Sequence, residues 1–187
     1  MSYTAPLAST TKYGVVKVGS GLSVTNGVIS ATGSTGFGEF GFISSSTAQT
    51  NPVANQINIV TFDTLGPNNG VSIGGGGTNI TVANAGTYTQ IFDLITTKTS
   101  GGTATLTVWL RKNGVDVPGS AQELQLTNVL SIVFLSGNFT LTLAAGDNIQ
   151  MCWSSPDITT GFAPIAAQVN PIRPTGFAVK VTVTRIG

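Results

Sequence analysis

Whatever chemistry this chain performs is done without histidine, because the sequence contains none. That removes Ser-His-Asp and Cys-His nucleophiles and most zinc sites. The acids number seven: Glu39, Asp63, Asp93, Asp116, Glu123, Asp147 and Asp157. None are close in sequence, so a glycosidase pair of carboxylates would have to be assembled by the fold. Cys152 is the only cysteine. It cannot form an intrachain disulfide or a Cys-rich metal site. It lies in the apolar stretch "IQMCWSS" and reads as a buried, inert thiol. Gly74–Gly77 is not followed by the Gly-Lys-Ser/Thr and helix signal of a phosphate loop, and reads as a flexible strand connection. Asp147 follows Gly146 in a turn that its carboxylate can cap; a calcium ion there would have this single acid to rest on. The sequons Asn79-Ile80-Thr81 and Asn138-Phe139-Thr140 read as chance matches. No catalytic residue, cofactor or metal site is expected.

The aromatic residues Tyr88, Phe92, Trp109, Phe134, Phe139 and Trp153 fall in strand-like segments and are assigned to core or subunit packing. Phe162, in a loop, is the candidate for stacking on a sugar.

The surface these groups would sit on is unusual. Charged residues make up 8% of the chain, against about 25% in a typical soluble domain. Net charge is +1 and mean hydropathy +0.29. Ser, Thr, Asn and Gly supply the polarity. Such a surface is poorly protected against association, so much of it is expected to be covered by copies of the same chain. The charges are scattered singly, which argues against a nucleic-acid partner. The start, "MSYTAPLAST", carries no signal-peptide pattern. Residues 124–146 are uncharged and long enough to span a bilayer. Polar residues interrupt them throughout, however, and Phe139–Leu143 alternates with period two, so they read as buried strands and not a membrane insertion.

The elements that must hold these residues are strands. Helical periodicity is almost absent, and short Val/Ile/Thr/Leu/Phe runs alternate with Gly, Asn and Pro signals. Strands are expected at Ile57–Phe62, Asn79–Val82, Gly86–Ile95, Thr103–Lys112, Val115–Val117, Leu130–Leu135, Phe139–Leu143, Asn148–Trp153 and Phe177–Thr184. Asn113-Gly114 predicts a type I′ hairpin turn. Ser136-Gly137-Asn138 is expected to break the chain like a turn, and residues 154–176, with four prolines, to form a long loop of binding or packing use. Roughly ten strands in about 150 residues suit an all-β, two-sheet jelly roll.

Two resemblances add to this. The body resembles the jelly-roll superfamily of complement globular heads and tumour necrosis factor. The likeness is carried in order by Ile80–Tyr88, by Trp109-Leu110-Arg111-Lys112-Asn113-Gly114, by Leu141–Ile149 with its Gly146-Asp147, and by Gly176–Val179. It implies a trimeric head, with Tyr88 and Phe92 towards the axis or a neighbour. The stretch "TTKYGVVKVGSGLSVTNGVIS", Thr10–Ser30, resembles a module of bacteriophage tail fibres and other virion appendages. Its few apolar residues cannot make a core in one chain. Packed about an axis with two further copies they could, with Gly19-Ser20-Gly21 and Asn26-Gly27 as tight reversals.

The expected organisation is therefore an N-terminal attachment or shaft segment with its small-residue hinge over 1–36, and a jelly-roll head over 37–187. Val15, Val16, Val18, Leu22, Val24, Val28 and Ile29 are the candidate attachment residues. The expected function is a bacteriophage virion surface protein: a short homotrimeric fibre or knob on capsid or tail, displayed outside the particle, with a host cell-surface glycan or protein as ligand. The alternatives are a non-viral lectin-like or cytokine-like trimeric binding module, or a polysaccharide-degrading appendage.

Overall fold

The computed structural model describes residues 22–25, 28–31, 38–127 and 132–187. The chain divides into two units, Met1–Phe37 and Gly38–Gly187. In the first, β1 (Leu22–Thr25) pairs antiparallel with β2 (Val28–Ala31), with Val24 opposite Ile29 and Thr25 opposite Val28. Of the candidate attachment residues, Leu22, Val24, Val28 and Ile29 lie on this hairpin; Val15, Val16 and Val18 lie outside the described residues, as do both expected reversals and the hinge after Ala31.

The second unit is all β. In chain order its strands are β3 (Phe40–Ser45), β4 (Gln49–Thr50), β5 (Asn58–Ile59), β6 (Thr64–Asn69), β7 (Val71–Gly74), β8 (Asn79–Val82), β9 (Gly86–Lys98) and β10 (Ala104–Lys112). They continue with β11 (Val115–Asp116), β12 (Gln122–Leu126), β13 (Val133–Leu143), β14 (Asn148–Ser154), β15 (Thr160–Phe162), β16 (Gln168–Val169), β17 (Ile172–Arg173) and β18 (Val179–Arg185). Ten of these have four residues or more. One sheet runs β4-β15-β9-β18-β3-β6, with β13 pairing β9; the other runs β11-β10-β14-β8-β7, with β12 on β10 and β5 on β14. From β8 onward the long strands cross repeatedly between sheets: β8, β10, β12 and β14 belong to one, β9, β13 and β18 to the other, and β10 and β12 are the one consecutive pair that stays in a single sheet. That crossing pattern is a jelly roll, which leaves few long edges open.

Period-two patterning packs the sandwich. Tyr88, Phe92 and Leu94 of β9, with Val179, Val181 and Val183 of the adjacent β18, face Leu106, Val108 and Leu110 of β10 and Ile149, Met151 and Trp153 of β14 in one buried cluster. Each such side chain contributes about 1.5–3 kcal/mol on burial. Asn113 and Gly114 both take positive φ, 50° and 80°, as the expected hairpin turn requires.

Four local expectations differ from the structure. Ser136-Gly137-Asn138 is no turn: it lies within β13, whose 11 residues pair β9 from Val133–Thr96 to Leu143–Gly86. Gly137 is glycine because the Phe92 ring occupies the place of a Cβ. Of Ile57–Phe62, only Asn58–Ile59 is strand. Beyond it the backbone changes partner at each step: Val60 N–H donates to Met151 O, and Phe62 N–H to Gly77 O, both at 2.8 Å. Phe177 precedes β18 and packs edge-on against Phe42 at 6.3 Å. The 154–176 loop contains β15 and a small hairpin, β16–β17. Strands β3, β6, β7 and β12 arise where the sequence patterning predicts none.

Candidate interaction surfaces

Since the inward positions of β3, β18, β9 and β13 make the core, the alternate positions form one outward face. Strand register lays it out in rows. Ser44, Lys180, Asp93 and Ser136 stand side by side across the four strands, with Ser44 itself buried; next come Phe42, Thr182, Ile91 and Asn138; then Phe40, Thr184, Thr89 and Thr140. Beyond the first row Phe134 lies opposite Ile95. The face is mostly hydroxyls, one amide and large apolar groups, with Ile91 47% and Phe134 59% exposed. Its ion pair is Lys180–Asp93 at 3.3 Å. A hydrogen bond from Ser136 Oγ at 2.5 Å, then Lys180, hold the Asp93 carboxyl below its ordinary range against partial burial.

Tyr88 and Phe92 are not on this face. They occupy the inward positions between its residues and are 1% exposed within a single chain. The expectation that they meet a neighbouring copy is corrected: period two turns them into their own core. The Tyr88 hydroxyl donates to buried Glu39 and at 2.8 Å to Asn84 O, while the Phe92 ring stacks on Phe139 at 5.8 Å. Ile91, between them, is what the face presents. Phe162 is corrected in the same way. It is 1% exposed in β15 and packs on Trp153 at 4.8 Å, so it has no ring face for a sugar.

The head has two ends. Gly38 enters where the 83–85, 113–114 and 144–147 turns gather, held by bonds such as Arg185 N–H to Glu39 O and Val82 N–H to Asp147 O. The 13-residue β9, at about 3.3 Å per residue, runs roughly 40 Å to the opposite end. There Asn51, Ser155, Thr159 and Thr99 are tied together. Most of the strongly exposed large apolar residues belong to this far end: Val53 55%, Ile132 52%, Ile158 58%, and Val169 and Ile172 at 89% each. The last two face each other across β16–β17, a hairpin closed at its base by the Ile165–Gly176 bridge.

All seven acids have partners. Glu39 is bound by Tyr88 and Asn84, Asp63 by Ser46, Thr47 and Thr64, and Glu123 by the Thr107 hydroxyl. Asp116 accepts from Arg111 and Trp109. Asp147 caps its turn by accepting Ala144 N–H at 2.7 Å and is pulled down to about 2 by Lys112 and Asn113. Asp157 pairs with Lys98, which with Thr159 pulls it down to about 2. Among the described residues no three acidic, Cys or His groups cluster as metal ligands. A groove of about 410 Å³ beside Val115, Val117, Pro118 and Leu141 holds one carboxylate, Asp116. A cleft of about 150 Å³ between β4, β15 and the 158–160 turn holds none. A glycosidase pair needs two carboxylates across one cleft, and neither of these has them. Cys152 is buried, and desolvation pushes its thiol up to about 11, which leaves it unreactive. Gly75–Gly77 forms a tight turn joining β7 to β8 in which all three glycines take positive φ, 59°, 68° and 97°.

No protein-family model matches the chain, and no curated protein matches it. Solved structures do. The structure of murine APRIL is 9% identical with TM-score 0.49, over 79% of this chain and 98% of that one. The globular domain of a zebrafish complement 1qA protein is 16% identical with TM-score 0.49, over 80% of this chain and 98% of that one. The jelly-roll assignment stands on this chain's own strand order.

Proposed function

We propose that the chain is a non-catalytic, homotrimeric jelly-roll binding head, carried on the surface of a bacteriophage virion by residues 1–36. The observation that carries self-association is the outward face of β3-β18-β9-β13, a broad sheet surface with one ion pair and exposed Ile91 and Phe134. A closed threefold ring covers such a face on every copy without propagating a fibre. The virion assignment is supported by the wording of Thr10–Ser30 and by the few apolar residues there. The non-viral lectin-like or cytokine-like module shares the trimeric head and differs in lacking a particle.

Light scattering of the full chain at micromolar concentration gives three protomers on this reading; a monomer refutes it. Ile91→Arg places three like charges on the shared face and yields a folded monomer with an unchanged β circular dichroism spectrum. An image of intact virions with density for this chain separates the phage reading from the free module.

A further inference from the structure

Among the described strands, β16 and β17 pair only with each other. Val169 and Ile172 are the most exposed large apolar side chains among the described residues, at 89% each, although β-branched residues of this size gain most from burial. The base of the hairpin, by contrast, is continuous with the outward face. Ile165 bridges Gly176, and a Cβ at Gly176 would lie 3.4 Å from Ile165 and 3.6 Å from Ile95. Ile95 in turn stands opposite exposed Phe134.

The charges point the same way. Four ion pairs join Lys98–Asp157, Arg111–Asp116, Lys112–Asp147 and Lys180–Asp93. Asp63 is saturated by hydroxyl and amide donors, and Arg185 is held at Gly187 O. Two exposed, opposite charges outside these arrangements are Arg173, on the hairpin, and Glu123, which among the described residues meets the Thr107 hydroxyl alone. Glu123 lies on β12, which pairs with β10 alone among the described strands and so forms an edge of the sandwich.

We propose that β16–β17 is an intersubunit arm. In the trimer it leaves its own head at the Ile165–Gly176 base, packs Val169 and Ile172 on the neighbouring copy, and sets Arg173 against Glu123 of that copy's β12 edge. This rests on the self-association reading above. Each copy gives one arm and receives one, so three arms close the ring.

The test uses the full chain in sedimentation velocity and equilibrium. Val169→Ser with Ile172→Ser raises the trimer's dissociation constant at least tenfold while circular dichroism stays unchanged, since both side chains are outside the core. Arg173→Glu and Glu123→Arg each weaken the trimer, and the two combined restore it. A wild-type trimer that the Val169/Ile172 variant matches in affinity overturns the arm and leaves self-association standing. So does a variant that keeps its trimer and loses only attachment to host cells, which makes the hairpin a receptor-binding tip. Failure of the charge exchange to restore affinity removes Glu123 as the docking point and overturns the proposal as stated. A monomeric wild type overturns self-association itself, and the arm with it.

Discussion

Lys98 shows how a charge is held inside this sparsely charged protein. The inward register of β9 takes its side chain to 0% exposure, where it meets Asp157, itself 25% exposed, and Thr159 at 3.1 Å. Removing one partner of such a pair strands the other. Asp157→Ala leaves a buried ammonium and should cost about 3 kcal/mol in urea denaturation. Lys98→Met replaces the buried charge with an apolar chain of similar length and leaves Asp157 near solvent, so it should cost less than about 1 kcal/mol. Equal losses for the two would mean that burial is not the deciding term. Acid dependence follows with a defined sign. The folded carboxyls of Asp157 and Asp147 sit at about 2, below the unfolded value. Their contribution is complete above about pH 4 and is lost as pH falls towards 2. Thermal midpoints of the wild type should drop through that window, and those of Asp157→Asn should drop less. Tyr88→Phe removes a donor from buried Glu39 and should destabilise the head by roughly 1.5–3 kcal/mol without changing its association state. A dissociated but undiminished Tyr88→Phe head would return Tyr88 to the interface.

At the scale of elements, the strand register assigns each residue its face, and single glycines set where strands pass close. Gly137→Ala drives a methyl into the Phe92 ring, which is already stacked on Phe139. Overpacking of that kind costs roughly 1–3 kcal/mol. Scanning calorimetry should show it, and a neutral outcome would mean that β13 shifts off β9 at no cost. Gly114→Ala has open space around its Cβ but a φ of 80°, so its cost is backbone strain alone, about 1 kcal/mol.

At the scale of the molecule, the head is organised end to end. Gly38 enters at one end, and Val53, Ile158 and the β16–β17 hairpin crowd the other. Deleting residues 1–33 should leave a folded β head, by circular dichroism, that no longer incorporates into virions. Normal incorporation of the truncated protein would remove attachment from the N-terminal segment.

Class and patterning were legible in the sequence because they are local. Alternation over Leu106–Leu110 and Val179–Val183, turn chemistry at Asn113-Gly114 and the capping carboxylate of Asp147 depend on near neighbours, and the fold keeps them all. The absence of histidine settled which nucleophile chemistries were open. The faces were a different matter. Period two says that Tyr88 and Phe92 lie on one side of β9 and Ile91 on the other, but not which side is the core; the pairing of β9 between β18 and β13, above β10 and β14, decided that. Gly137 has the composition of a turn and became a close approach because an aromatic from another strand fills its missing side chain. Lys98 and Asp157 are 59 residues apart, and only the jelly-roll crossing makes them a pair.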